Sequence, residues 1–347
     1  MASADHFYFT NSSDHDAWLD SRREDILEPE LPIIDAHHHL WMRQPPPYLF
    51  REYLADVASG HNVVASVFAE CHSMYRRTGP EAFRPVGESE FVAGIAAMSD
   101  SGRFGPAQIC KVMFGAADLT LGSEVQQVLE AHEVASGGRF RGVRAEAAWH
   151  PGVAGPMDRP GYLKEPAVRQ AIDCLMRRGH SLDIWVFHPQ LHEVIELARD
   201  FPDLTIILNH FGVPILGGPF KGKADEVFAD WRRDIEAMGE LENVYFKLGA
   251  LPMRRADRSD PDLPPSSDDI ASAWQGWTEV AISSFSPSRC MFESNFPVDK
   301  RHYSYPVLWN ACKKLAAPYS EDEKRELMAG AAQRAYRISL DTGHKSH

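Results

Sequence analysis

Short runs of β-branched and aliphatic residues recur along this chain, and between them lie longer segments whose apolar residues fall three and four apart. The first run is Ile33-Ile34, leading into Asp35-Ala36-His37-His38-His39; the others cover 62–70, 91–98, 142–147, 182–187, 204–208, 244–248 and 290–292. Apolar stretches this short, bounded by turn residues, predict strands covered on both faces. Helical spacing predicts helices over 123–135, 167–178, 192–200, 225–238 and 271–285, with one more near 48–58 after the turn-forming Pro45, Pro46 and Pro47. Eight strands alternating with helices predict an α/β fold of the (β/α)8 TIM-barrel type over residues 31–340. A doubly wound open sheet is the alternative, but no glycine fingerprint follows the first strand. Residues 1–30 are polar and aromatic and predict an N-terminal arm over the barrel, with a short helix over 14–26 capped by Ser12 or Ser13.

Composition narrows the classes. With 347 residues, 44% of them hydrophobic and 24% charged, the chain can bury one large core. A formal net charge of -13 argues against nucleic acid or an anionic membrane as partner. Cys71, Cys110, Cys174, Cys290 and Cys312 show no Cys-x-x-Cys spacing, so neither a disulfide framework nor a zinc ribbon is expected, and a reducing compartment fits. Neither a signal-peptide core nor a run of about 18 apolar residues is present, so the expected location is cytoplasmic. The polar residues 343–347 are expected to fray.

The candidate chemistry lies at the ends of the predicted strands, where such barrels place their sites. Strict alternation would put Asp35, His37 and His39 on one face, and two imidazoles at that spacing can grip a metal ion. Further strand ends carry Glu70 and His72, Arg144 and Glu146, His188, Asn209 and His210, Lys247, and Glu293 with Asn295. Ionisable groups inside a barrel are costly, so this many at the strand ends points to a site. Arg144 is open to two readings, a clamp on a substrate carboxylate or an internal pair with Glu70 or Glu146. Lys247 is expected to reach the pocket rim, because an unpaired ammonium inside the barrel is expensive. His38 is expected to pack structurally, and His150, His180 and His192 to lie at the surface.

The loop over 74–88, with Arg76, Arg77, Arg84, Tyr75 and Phe83, and that over 251–267, with Arg254 and Arg255, can form a lid. Arginines among aromatics suit an aromatic or carboxylated small molecule, with solvated loop charge as the plainer account. The glycine-rich stretch 212–222 lacks Gly-Lys-Ser/Thr and reads as a mobile rim, not a phosphate loop. Trp274 and Trp277 could form the stripe of a homo-oligomer interface or pack on the barrel wall.

Asp35-x-His37-x-His39, His188, His210, Glu293-Ser-Asn295-Phe-Pro297 and the closing Gly330-Ala-Ala-Gln-Arg-Ala-Tyr-Arg337 resemble the amidohydrolase superfamily. The likeness runs from about 31 to 338 and is nearest the amidohydrolase 2 branch, which holds sugar-lactone hydrolases, pyrone-dicarboxylate lactonases and aminocarboxymuconate-semialdehyde-type decarboxylases. The resemblance implies His37, His39 and His188 as ligands of a catalytic Zn2+, and His210 as a metal ligand or carbonyl-orienting group. It also admits no metal at all, as in the pyrone-dicarboxylate lactonases. The eighth strand of the family carries an aspartate where this chain has Asn295, and an amide cannot take a proton from water. Glu293, two residues earlier, is the expected base, with Glu70, His72 and Glu146 as rivals and loss of hydrolysis as a third outcome. The expected activity is hydrolysis of a lactone or related cyclic ester or amide, with His210 and Arg144 holding the carbonyl. Decarboxylation of an aromatic or enoic acid is the alternative, and a binding barrel without catalysis the third.

Overall fold

In the computed structural model, which describes residues 13–42, 47–251, 259–260 and 262–340, eight strands hydrogen-bond in chain order, each parallel to the next. They are β1 Ile33–His38, β2 Val63–Ala69, β3 Gln108–Gly115, β4 Phe140–Glu146, β5 Ser181–Trp185, β6 Ile206–Leu208, β7 Val244–Leu248 and β8 Cys290–Phe292. The ring closes where the chain beyond β8 meets β1: Asn295 N donates to His37 O at 2.9 Å, and His39 N to Phe296 O at 2.7 Å. This is the expected (β/α)8 barrel.

The helices are α1 Ser13–Asp20, α2 Phe50–Val57, α3 Val86–Asp100, α4 Val125–Ala135, α5 Pro166–Arg177, α6 Leu191–Asp200, α7 Ala224–Gly239, α8 Ser267–Phe285, α9 Tyr305–Ala316, α10 Glu321–Arg325 and α11 Ala331–Ala335. Two apolar layers result. The outer one lies between strands and helices and includes Phe68, Ile184, Trp231, Phe246 and Trp274. The inner one fills the barrel with Ile34, Ala36, Val67, Phe114, Ile207 and Met291, plugged from below by Ala335 and Tyr336. Trp274 packs on Phe211 and Tyr303, and Trp277 on Phe228 and Trp231, so both belong to the barrel wall.

Residues 91–98, expected as the third strand, lie instead within α3. Its buried Val92, Ile95, Ala96 and Ser99 recur at helical spacing, a period hidden in a run that is apolar almost throughout. The true third strand, β3, is broken in pattern by Lys111 and by Cys110, which takes φ +52°. Helix α1 stops at Asp20, short of 26. Beyond it Arg22 Nε donates to Pro264 O (3.1 Å), Leu27 N to Asn310 Oδ1 (2.9 Å), and Lys313 Nζ on α9 to Leu27 O (2.7 Å). Ser12, Pro45, Pro46, Arg254, Arg255 and 343–347 lie outside the described residues.

The opening motif departs from strict alternation. Between Asp35 and His38 the pairing of β1 advances three residues while β2 advances two, from Ser66 to Phe68. The extra residue is a β-bulge, which reverses the side-chain phase. Asp35 therefore faces outward, where its carboxylate accepts from Tyr53 and Tyr305 hydroxyls (2.9 and 3.1 Å) and from Ser294 Oγ (2.6 Å). His37 and His39 turn inward. Burial raises the Asp35 carboxyl from its ordinary range, and its bonds to α2, α9 and Ser294 tie β1 to β8. His38 faces outward as expected, stacked on Tyr53 with centroids 3.8 Å apart.

All five cysteines are buried and free. Among the described residues no helix is long and apolar enough to cross a membrane.

Candidate active site

Four inward-facing side chains meet at the C-terminal mouth of the barrel. His37 and His39 face each other, Nε2 to Nε2, at 3.1 Å. The Nδ1 of His39 donates to Ala69 O at 2.9 Å, which leaves its Nε2 a bare acceptor. His37 Nδ1 lies 3.0 Å from the Lys247 ammonium and 3.3 Å from Glu293 Oε2, so its tautomer follows whichever it bonds. His210 Nδ1 lies 2.6 Å from Glu293 Oε1. Burial first, then the Lys247 charge, pushes the His37 imidazole well below its ordinary value. Burial first, then Arg144, does the same to His39. Both rings are neutral, the form in which imidazole binds metal.

Lys247 does not reach the rim. It is fully buried inside the barrel, because Asp183 on β5 pairs with it at 2.9 Å. The same Asp183 oxygen accepts from Tyr336 Oη (2.7 Å) and Asn209 Nδ2 (2.9 Å), and the ammonium sits over the Phe114 ring at 4.6 Å. Sequence reasoning missed Asp183 and Tyr336. The signal for Asp183 was a lone carboxylate in the apolar run 182–187, where only a buried partner permits a charge.

A second group lies alongside. Arg144 takes the internal reading: its Nε donates to Glu70 Oε1 (2.6 Å), and its Nη2 to Glu70 O (3.0 Å) and Glu146 Oε1 (2.8 Å). His72 Nε2 approaches Glu146 Oε2 (3.2 Å) and Glu70 Oε2 (3.5 Å). Its contact with Glu146 pushes His72 up to about 9, and burial raises the Glu70 carboxyl. Arg76, expected to bind substrate, is instead forked onto Glu90 of α3.

The remaining candidates sit apart. His188 joins no cluster of ligand atoms among the described residues; β5 ends at Trp185, and His188 opens the turn into α6. Its Nδ1 accepts from Ile215 N (3.1 Å), its ring packs on Phe220, and burial pushes it down to about 4. Asn295 is buried at φ +53° and donates to Asp299 Oδ1 at 3.0 Å. Burial pushes Asp299 up to about 6. Glu293, the expected base, is fully buried, with its Oε1 against His210 Nδ1. His180, expected at the surface, is buried against Glu133.

Buried neutral histidines away from the mouth give a pH prediction. His132 is fully buried between Ser89 Oγ and Ala116 O, stacked on Phe140, and burial pushes it down to about 4. Its folded value lies below its unfolded one, so its stability is complete above about pH 6.5 and is lost as pH falls towards 4. For this one ring the loss is at most about 3 kcal/mol. The urea midpoint is expected to fall steadily from pH 7 to pH 4.5, and less steeply in His132→Gln. Equal slopes would show that His132 does not couple folding to protonation.

The barrel and its strand-end cluster define an enzyme of the amidohydrolase kind. The chain belongs to the amidohydrolase family, whose amidohydrolase-2 model matches residues 34–338. The uncharacterised protein y4mH of Sinorhizobium fredii is 31% identical over 332 residues, covering 89% of this chain and 99% of its own. L-fucono-1,5-lactonase of Burkholderia multivorans is 24% identical over 316 residues, 88% of this chain and 96% of its own. A solved amidohydrolase from Burkholderia multivorans, with zinc bound, superposes at a TM-score of 0.63 with 20% identity, over 88% of this chain and 99% of that one.

Proposed function

We propose that the protein opens a lactone or related cyclic ester by attack of an activated water. The observation that carries this reading is the His210–Glu293 pair set against two neutral, facing imidazoles. The likeness to L-fucono-1,5-lactonase supports a sugar-type lactone as substrate.

The facing pair supplies two of the three protein ligands a catalytic zinc ordinarily takes, and His37 also has ligand atoms of His210 and Glu293 within 4.8 Å. Two uncharged Nε2 atoms at 3.1 Å need a proton or a cation between them, and the backbone carbonyl of Ala69 already fixes the His39 ring. His37 and His39 would hold the ion, and it would supply polarisation of the water or the carbonyl. A solved amidohydrolase of the same fold contains zinc, which supports that ion as the candidate.

The protein's own groups do the rest. Glu293 anchors His210 through Nδ1 and keeps Nε2 free to accept a proton. His210 is the member of the pair that reaches solvent, at 9% exposure against none for Glu293. It takes a proton from the attacking water at Nε2, and Glu293 stabilises the imidazolium that results. As the acyl carbon–oxygen bond breaks, His210 returns that proton to the leaving ring oxygen. Water has then added across one ester bond, and a hydroxy acid leaves.

Acid release, read with a pH indicator over a panel of 1,4- and 1,5-aldonolactones, tests the reaction. Metal content by mass spectrometry, wild type against His37→Ala/His39→Ala, tests the ligands. We expect acid from at least one lactone and zinc near one equivalent, lost in the double variant. Carbon dioxide from an aromatic acid, with every lactone inert, would replace hydrolysis by decarboxylation.

A further inference from the structure

The group formed by Glu70, His72 and Glu146 takes no part in the reaction above, and its geometry is that of a ligand set. Arg144 binds Oε1 of both glutamates. That leaves the two Oε2 atoms on the far side, where they converge on His72 Nε2 at 3.5 and 3.2 Å. A cation with bonds of about 2.1 Å sets adjacent ligand atoms about 3.0–3.4 Å apart; both distances to His72 lie close to that spacing, and all three ligand atoms lie within 4.8 Å of one another.

An independent observation points to an occupant. Glu70 is fully buried, and its Oε2 makes no hydrogen bond, its contact with His72 Nε2 being long at 3.5 Å, a costly arrangement for an oxygen aimed into the cluster. The imidazole is also held there against its backbone preference. His72 takes φ +59°, and Glu88 Oε1 clamps both sides of it by accepting from Cys71 N (3.1 Å) and Ser73 N (2.8 Å). A non-glycine residue kept in this region is stored strain. The site has a buried wall and an open lip, since the Glu70 side chain is wholly covered while that of His72 is 56% exposed. Two carboxylates against one guanidinium leave one negative charge, which either a metal ion on a neutral His72 or a proton on that ring would answer.

We propose that Glu70, His72 and Glu146 form a second site, at the lip of the barrel, for a divalent cation that accepts mixed carboxylate and imidazole donors, such as Mn2+. It is distinct from the His37–His39 pair and does not depend on the lactone reading. The competing occupant is a proton on His72, which would pair with the same two oxygens and retain no metal.

Mn2+ alone is the probe, titrated into the full chain and counted by equilibrium dialysis and electron paramagnetic resonance. The decisive quantity is the number of equivalents lost on His72→Ala, whose side chain is mostly exposed and whose fold is checked by circular dichroism. One equivalent lost there and retained in His37→Ala/His39→Ala is the expected result. Glu146→Gln should weaken the same equivalent by about tenfold or more, which guards against a loop disturbance peculiar to His72→Ala. No change in equivalents or affinity with either variant overturns the site and leaves His72 as a protonated partner. Because metal is counted directly, failure of this site is separable from failure to find a hydrolysable lactone.

Discussion

Replacing Lys247 with methionine is expected to destabilise the protein by about 3–5 kcal/mol, the cost of leaving a buried charge without its partner. Lys247 and Asp183 are both fully buried and stand 2.9 Å apart. The second oxygen of Asp183 already lacks a hydrogen bond. With the ammonium gone, the hydrogen bonds left to the carboxylate among the described residues are those of Tyr336 and Asn209, and neither carries charge. Methionine fills most of the lysine volume, so the loss is electrostatic and not a cavity effect. Lys247→Met/Asp183→Asn removes both charges and should recover at least half of the loss, since a buried pair is often worth little against a neutral replacement. Urea denaturation of the two single variants and the double decides it. If the double is as unstable as the sum of the singles, the pair is not coupled and the lysine serves the barrel by some other contact.

The same pair shows what the sequence could and could not disclose. Seven of the eight strands were visible as short apolar runs, because helices cover their outer faces and the barrel core their inner ones. β3 escaped because Lys111 and a positive-φ Cys110 interrupt it, while the apolar first half of α3 imitated a strand. Strand ends were also readable, since polar residues closing an apolar run have few structural uses there. What spacing could not show was phase and partnership. One inserted residue in β1 put Asp35 outside and the two histidines inside, a shift that period-two reasoning does not anticipate. Spacing alone places Lys247 at the rim, because its carboxylate lies 64 residues earlier, on another strand. Arg76 looks free to contact substrate in the sequence, because its partner, Glu90, is reached only once α3 folds back beside the loop. Partners across a barrel are set by register, and register is not local.

Partnership also decides the prediction with the largest effect on turnover. Glu293→Gln is expected to lower kcat by about 10²- to 10⁴-fold on whatever lactone the wild type hydrolyses, the range seen when a buried carboxylate behind a proton-accepting histidine is replaced by its amide. Glu293 has no exposed surface, and its Oε1 is taken up by His210, so it acts through the imidazole. An amide in its place can present its NH2 to His210 Nδ1, which turns that nitrogen into an acceptor and puts the ring proton on Nε2, where the base must be empty. The variant should therefore lose kcat with KM little changed. Zinc content should remain that of the wild type if His37 and His39 alone hold the ion. Asn295 cannot take over, since its amide is already bonded to Asp299. Full activity in Glu293→Gln would remove the His210–Glu293 pair from the reaction and turn attention to Asp299, which burial pushes up to about 6, as the group that carries the proton.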